Sequence, residues 1–184
     1  MILTDREIQV ALATEQIVID PLPSPDAYSS TSLDLSLGTT ICVWKRDVAG
    51  VDRVVCPADP GFKYKAVVDE MSVTREVGPG GIVISPGDFL LAWTAETVSL
   101  PIRSRLAARV EGKSSLARLG IGVHVTAPTI HAGFEGQIQL EMCNYGTLRV
   151  KLVPSMRVCQ LIFEQTLGTP EMGYQGQFQQ QVAR

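Results

Sequence analysis

The sequence predicts a mainly β fold, a sandwich or closed barrel built from many short strands. From about residue 33 to residue 163, short apolar segments rich in β-branched residues recur, and Gly, Pro, Asn or Asp separate nearly all of them. Strands at this spacing are typical of sandwiches and barrels rather than of a βαβ fold. The length of 184 residues fits one domain.

The predicted elements begin with a short helix. Thr4 followed three residues later by Glu7 is a capping-box pattern, and apolar residues recur behind it. Three prolines between residues 21 and 25 then require an extended segment. One internal helix is predicted at 114–119, and residues 60–80 are predicted as a loop excursion. The predicted strands cover residues 33–38, 39–44, 51–55, 82–84, 89–93, 106–110, 122–126, 137–142, 149–152 and 158–163.

The last part of the chain differs in kind from the rest. From residue 166 onward, glycines and glutamines replace the apolar pattern, and such a segment cannot build a core. It is either a disordered end or a flexible arm that closes over a ligand. We therefore expect a β domain at 1–165 and a C-terminal arm at 166–184.

Composition and charge exclude several classes of protein. A hydrophobic fraction of 45% and a charged fraction of 19% are those of a globular chain rather than a disordered one. The net charge of −3 disfavours a protein that coats nucleic acid, although it permits a local basic pocket. Because no signal-peptide pattern and no apolar run of roughly 20 residues is found, we expect a cytoplasmic protein without a membrane partner.

The cysteines and histidines do not follow a metal-ligand pattern. Cys42, Cys56, Cys143 and Cys159 form no C-x-x-C pair, and each has apolar neighbours, so we expect reduced core residues. The zinc deaminase signature, His-x-Glu followed by Pro-Cys-x-x-Cys, is missing. We therefore expect no zinc. The P-loop and the Gly-x-Ser-x-Gly elbow are missing too.

One segment carries residues suited to binding phosphate. Lys113, Ser114, Ser115 and Arg118 lie at the start of the predicted internal helix. Such a turn into a helix offers hydroxyl groups, cations and backbone N–H groups to a phosphate chain. A capped surface helix is the alternative interpretation.

A second segment carries a candidate proton-transfer group. The strand at 137–142 alternates, so that Gln137, Gln139 and Glu141 share one face. This face is either a solvated polar surface or the wall of a pocket. In a pocket, desolvation would raise the pKa of Glu141, which could then exchange protons near neutral pH.

Three blocks of sequence carry a family resemblance. They read Glu-Gly-Lys-Ser-Ser-Leu-Ala-Arg-Leu-Gly at 111–120, Val-His-Val-Thr-Ala at 123–127 and Gly-Phe-Glu-Gly-Gln-Ile-Gln-Leu-Glu at 133–141. Together they resemble the dCTP deaminases of the dUTPase-like superfamily, and the segments at 1–8, 32–38 and 154–161 fit the same family. The resemblance implies a dUTPase-like distorted β-barrel or jelly roll that assembles as a homotrimer, with active sites between subunits.

The resemblance also implies an activity. It implies zinc-independent hydrolytic deamination of dCTP to dUTP and ammonia, which supplies dUTP for dUMP and dTTP synthesis. It implies Mg²⁺ bound through the triphosphate and dTTP as an inhibitor. Two alternatives are open. One is a bifunctional deaminase and dUTP pyrophosphatase, or a dUTPase, that yields dUMP and pyrophosphate; the other is a non-catalytic nucleotide-binding regulatory protein.

The resemblance assigns the catalytic roles to three residues. Glu141 matches the glutamate that moves protons between water, ring N3 and the leaving ammonia. Ser114 matches the serine that positions the attacking water, and Arg118 matches the arginine that binds phosphate and organises the site. The other implied substrate contacts are Lys113, Ser115, Leu116, Ala117, Ala127, His131, Gln139, Leu140, Tyr174, Gln177 and Gln181.

This sequence departs from the family pattern at several positions. His131 stands where many relatives carry an Asp that contacts the deoxyribose 3′-hydroxyl, and enzymes that hydrolyse dUTP use that Asp near their water. His131 therefore argues against dUTP hydrolysis. Pro128-Thr129 replaces a His-Arg pair, and Gln177 replaces a lysine of the arm. His124 is interpreted as a structural or subunit-contact residue.

Overall fold

The computed structural model describes residues 1–45, 54–176, 180 and 182–183. The helices are α1 (Asp5–Ala13), α2 (Tyr64–Met71) and α3 (Ser114–Ala117). Single 3₁₀ turns cover Pro25–Ala27 and Ile102–Ser104. The strands are β1 (Val18–Asp20), β2 (Tyr28–Ser29), β3 (Ser32–Trp44), β4 (Ser72–Glu76), β5 (Ile82–Ile84), β6 (Phe89–Ser99), β7 (Leu106–Gly112), β8 (Ile121–Gly122), β9 (Thr129–Ile130), β10 (Glu135–Asn144), β11 (Val150–Leu152) and β12 (Arg157–Gln165). The predicted mainly β class is confirmed.

Ten of these strands form one curled, antiparallel sheet. Its order is β8-β10-β6-β3-β12-β7-β9, with β1 added to β6 and with β2 and β4 added to β3. β5 and β11 form a separate two-stranded sheet. The long strand β3 belongs to both halves of the curl, because its first part pairs with β2 and β12 and its last part pairs with β4 and β6.

The core lies inside the curl, and β10 shows how the sheet separates it from the polar face. Burial alternates along β10: Ile138, Leu140 and Met142 are buried, whereas Gln139 and Glu141 are half-buried. This alternation is the one that the sequence predicts. The buried row packs with residues of the other strands into one large apolar cluster.

One predicted strand boundary is wrong. The segments 33–38 and 39–44 are a single strand, and Gly38 lies inside it. A Cβ on Gly38 would lie 3.0 Å from the backbone oxygen of Trp93, so the glycine permits close approach of β6 rather than ending the strand. The pairing of β3 with β6 shifts register here, between Leu37 and Ile41.

Three other expectations also fail locally. The excursion at 60–80 contains α2 and β4, so it is not simply a loop. The strand predicted at 122–126 is limited to Ile121–Gly122, because the chain bends after it. Residues 54–55 of the strand predicted at 51–55 are not in a strand, and its other residues lie outside the described part of the chain.

The N-terminal helix is confirmed, and it begins directly after Thr4. The Thr4 hydroxyl donates to the Glu7 carboxylate instead of capping a backbone N–H group. The internal helix is one turn long, which is shorter than predicted. Among the described residues, no helix has the length and apolar character required to cross a membrane.

The four cysteines are free thiols, but they do not share one environment. Cys42 and Cys159 are buried, and Cys143 is half-buried. Cys56 is exposed, so the expectation of a core residue is wrong there. Its apolar sequence neighbours Val54 and Val55 are also exposed, which explains why local composition was misleading.

Candidate functional site

A cavity of about 280 Å³ opens between β10, the segment that precedes it and the C-terminal arm. It brings together five residues that the sequence predicts as site residues: Ala127, His131, Gln139, Glu141 and Tyr174. The other lining residues, which sequence reasoning did not assign to the substrate site, are Val110, His124, Thr129, Ile130, Phe134, Gln137 and Ile138. Apolar walls with a few converging polar groups are typical of small-molecule sites.

Glu141 has the environment of a proton-transfer group. Burial raises the pKa of its carboxyl group, while the backbone N–H groups of Glu141 and Val125 and the charge of His124 oppose this shift. The net direction is upward. The pocket interpretation of Glu141 is therefore favoured over a solvated polar face, and the carboxyl group is suited to act as both base and acid.

His124 lies between two carboxylates at this site. Its Nε2 is 3.8 Å from the Glu111 carboxylate, and a positive charge on the imidazole would lower the pKa of Glu141. Its Nδ1 is buried and has no hydrogen-bond partner among the residues described. The signal that could have identified it is its place inside the Val-His-Val-Thr-Ala block, next to the predicted Ala127.

The described part of the arm lies along one wall of the cavity. The Tyr174 ring stacks on His131 with centroids 5.7 Å apart. The backbone N–H group of Tyr174 donates to the Ala132 carbonyl at 2.9 Å. Farther along, the Ala183 N–H group donates to the side chain of Gln137 at 2.7 Å. Tyr174 and Ala183 therefore hold the described part of the arm against the cavity wall. The predicted contacts Gln177 and Gln181 lie outside the described residues.

The helix α3 does not line this cavity. Ser114, Ser115, Ala117 and Arg118 are exposed on the surface, and Leu116 is buried in the core. One chain therefore brings Glu141 together with the arm but not with the predicted phosphate-binding segment. The ammonium group of Lys113 is bound to Asp34, a buried residue of β3.

Leu140 also has a restricted role. Its side chain is fully buried, so it can offer only backbone groups to a ligand. One side of β10 pairs with β6 along most of its length, whereas β8 covers the other side only at Cys143 and Asn144. Within the described residues, the backbone edge around Gln139 is therefore not covered by a second strand.

A family model described as dCTP deaminase-like matches residues 2–166. The chain belongs to this family. It is 40% identical over 176 residues to a protein of Methanothermobacter thermautotrophicus named dCTP deaminase, dUMP-forming, with 94% of this chain and 83% of the relative covered. It is 38% identical over 175 residues to the dCTP deaminase of Rhodospirillum rubrum, with 95% and 87% covered. The family that the three sequence blocks indicated is thus confirmed.

Solved structures support the fold of this dCTP deaminase-like chain. The crystal structure of 2′-deoxycytidine 5′-triphosphate deaminase from Agrobacterium tumefaciens matches with a TM-score of 0.66 at 24% identity. The match covers 88% of this chain and 47% of that one, so this chain spans about half the length of the solved protein. A Staphylococcus bacteriophage 80alpha dUTPase matches with a TM-score of 0.50 at 12% identity. The predicted dUTPase-like fold is confirmed.

Proposed function

We propose that this protein is a dCTP deaminase that hydrolyses dCTP to dUTP and ammonia. The observation that carries the proposal is Glu141, a half-buried carboxyl group of raised pKa that opens into the cavity of a dCTP deaminase-like chain. The relatives from Methanothermobacter thermautotrophicus and Rhodospirillum rubrum are named dCTP deaminases, which supports dCTP as the substrate. The proposed role is to supply dUTP for dUMP and dTTP synthesis in the cytoplasm.

The proposed chemistry needs one group that works first as a base and then as an acid. Glu141 takes a proton from water as the water oxygen bonds to C4 of cytosine, and it gives this proton to ring N3. It then passes the second proton of that water to the amino group, the C4–N4 bond breaks and ammonia leaves. A carboxyl group of raised pKa exchanges these protons at low cost near neutral pH. No step requires zinc.

The base and the triphosphate would be held by different parts of the chain. The backbone edge at Gln139 and Leu140 is suited to bind the polar edge of the pyrimidine, and Ala127 lies beside it in the cavity wall. Tyr174 of the arm stacks on His131, and the two side chains form one wall of the cavity. Mg²⁺ is proposed to enter bound to the triphosphate.

The proposed site requires a second copy of the chain. Ser114 and Arg118 lie on an exposed surface away from the cavity of Glu141, although the mechanism needs a group that positions water and a cation for phosphate. We propose that α3 of a neighbouring subunit supplies them in a homotrimer. dTTP, which shares the sugar and triphosphate of dCTP, is proposed to inhibit by occupying the same site.

A second candidate function is direct formation of dUMP. Some of the relatives near 40% identity are named dUMP-forming, which favours it. His131 opposes it, because an imidazole does not supply the carboxylate expected near a hydrolytic water. If His131 is the reason, His131→Asp should introduce or increase the release of pyrophosphate.

A product assay tests these proposals. The protein with Mg²⁺ would receive dCTP, CTP, dCMP or dUTP separately, while ammonia and pyrophosphate are followed. Ammonia with accumulating dUTP supports the deaminase, whereas pyrophosphate and dUMP support the second candidate. Glu141→Gln should lower the deamination rate by about 10²–10⁴-fold. Glu135→Gln, at an exposed position of the same strand, is the matched control. Nucleotide binding without any product would contradict both candidates.

A further inference from the structure

An ion pair lies directly before α3. Asp34 on β3 is 7% exposed, and one of its carboxylate oxygens binds the ammonium group of Lys113. Its other oxygen, Oδ1, is buried and has no hydrogen-bond partner in the part of the chain that is described. Lys113 is therefore the cation that neutralises a carboxylate largely removed from water.

A second buried carboxylate makes it more unfavourable to leave Asp34 without this cation. Glu96 is another buried carboxylate, and it accepts the backbone N–H group of Ser36 on the same strand. The nearby Cys159 thiol is close enough to both carboxylates to be affected by them. Burial, Glu96 and Asp34 raise the pKa of this thiol, whereas Lys113 lowers it. If Lys113 turned toward a phosphate, Asp34 would be left as a buried charge without a partner, which is strongly unfavourable.

A second contact fixes the same turn from the neighbouring strand. Gln160 on β12 lies opposite Asp34 on one side and Glu111 on the other. Its amide group donates to the Gly112 carbonyl at 3.3 Å, and its oxygen accepts the Ser32 hydroxyl at 2.9 Å. Gly112 and Lys113 are thus both held by side chains of the sheet at the point where the chain enters α3.

The turn at Gly112 and Lys113 determines where α3 begins. The Lys113 carbonyl accepts the N–H groups of Leu116 and Ala117, which form the first turn of the helix. Ser114 follows Lys113 directly, and the Arg118 N–H group donates to the Ser114 carbonyl. A displacement of Lys113 would therefore move the Ser114 hydroxyl and the Arg118 guanidinium together.

We propose that Asp34 and Lys113 are a positioning pair for α3, and that Lys113 is not one of the residues that bind the triphosphate. This differs from the role that the family resemblance implies for Lys113. The proposal rests on the proposed function, since α3 matters for the reaction only if it carries Ser114 and Arg118 to the substrate.

Two single substitutions distinguish a positioning pair from a phosphate ligand. If the pair positions α3, Asp34→Asn and Lys113→Met should both lower kcat for dCTP by about 100-fold, with little change in the salt dependence of KM. If Lys113 binds phosphate, Asp34→Asn should leave activity intact or improve it because the lysine is released. Lys113→Met alone should then raise KM and weaken its salt dependence, and that result would overturn the proposal.

The double variant Asp34→Asn/Lys113→Met guards against loss of folding, because it removes both charges of the pair and leaves neither partner as an unpaired charge. A positioning pair predicts that it loses no more kcat than either single variant. If the kcat losses of the two single variants multiply in the double variant, the two residues act independently, and that result would contradict the proposal. Lys65→Met, which breaks the exposed pair with Asp69, is the matched control and should change nothing.

Amide hydrogen exchange separates this proposal from the proposed function. Even if the wild-type chain does not deaminate dCTP, both single variants should exchange faster at Leu116, Ala117 and Arg118, while exchange in β10 is unchanged. Unchanged protection of α3 in folded variants would refute the positioning role whatever reaction the protein catalyses.

Discussion

Gly133 is the position where one methyl group should separate the arm from the cavity. Its φ angle is +88°, a left-handed conformation that favours glycine. A Cβ added there would lie 2.8 Å from the Gly173 Cα atom and 2.8 Å from the Tyr174 nitrogen. Because both contacts are to backbone atoms, Gly133→Ala can be accommodated only if the arm moves away.

The expected size of the effect follows from the contacts that are lost. The hydrogen bond from the Tyr174 N–H group to the Ala132 carbonyl contributes about 1 kcal/mol, and the stack of Tyr174 on His131 contributes about 1 kcal/mol. A loss of about 2 kcal/mol lowers the ratio of docked to undocked arm by about 30-fold. If the docked arm closes the nucleotide site, KM for dCTP should rise by up to about 30-fold.

Steady-state kinetics and limited proteolysis of the arm measure this effect. Gly87→Ala is the matched control, because Gly87 has a φ angle of +79° and a Cβ there would meet nothing within 4 Å. Both variants should share the backbone strain of about 1–2 kcal/mol, but only Gly133→Ala should raise KM and expose the arm to protease. Equal KM values and equal arm cleavage in the two variants would refute the reasoning.

Two further predictions concern stability. Since burial raises the pKa of Glu141, the folded chain binds this proton more tightly than the unfolded chain, and stability falls as pH rises from the ordinary value of 4.5 through the raised pKa. Glu141→Gln should therefore raise Tm relative to wild type at neutral pH but not below pH 4.5; a Tm difference independent of pH would contradict this. Asn144, which is 1% exposed, donates to the Ile84 and Leu148 carbonyls and accepts the Gly146 N–H group. Asn144→Ala should lower the free energy of unfolding by about 2–4 kcal/mol in urea titrations, and a change under about 1 kcal/mol would refute that role.

Local patterns allowed much of the fold to be predicted. The alternation around Glu141 is decided within six residues, so the sequence alone separates the core face of β10 from its polar face. The role of Gly38 is not local, because a glycine that ends a strand and one that permits close approach of Trp93 look alike in sequence. Likewise α2 is eight residues long and none of its residues is buried, so the pattern of core residues does not mark it as a helix.

Site residues that lie within one recognisable sequence segment could be predicted. Contacts between segments that are distant in the sequence could not. Glu141 and Tyr174 were assigned from recognisable segments, and the structure brings both to one cavity. The contact between Asp34 and Lys113 spans 79 residues, and nothing in either segment specifies the other as its partner. The place of His124 depends equally on the bend that follows β8.

The length of the thirteen-residue strand β3 sets the distance between two parts of the molecule. Asp34 near one end fixes the start of α3, whereas Cys42 near the other pairs with Leu91, which in turn pairs with Glu141. Eight residues of extended chain set these two points about 26 Å apart along the strand. An insertion or deletion of one residue between them would turn one end to the wrong face. The length of β3 is therefore constrained by both halves of the site at once.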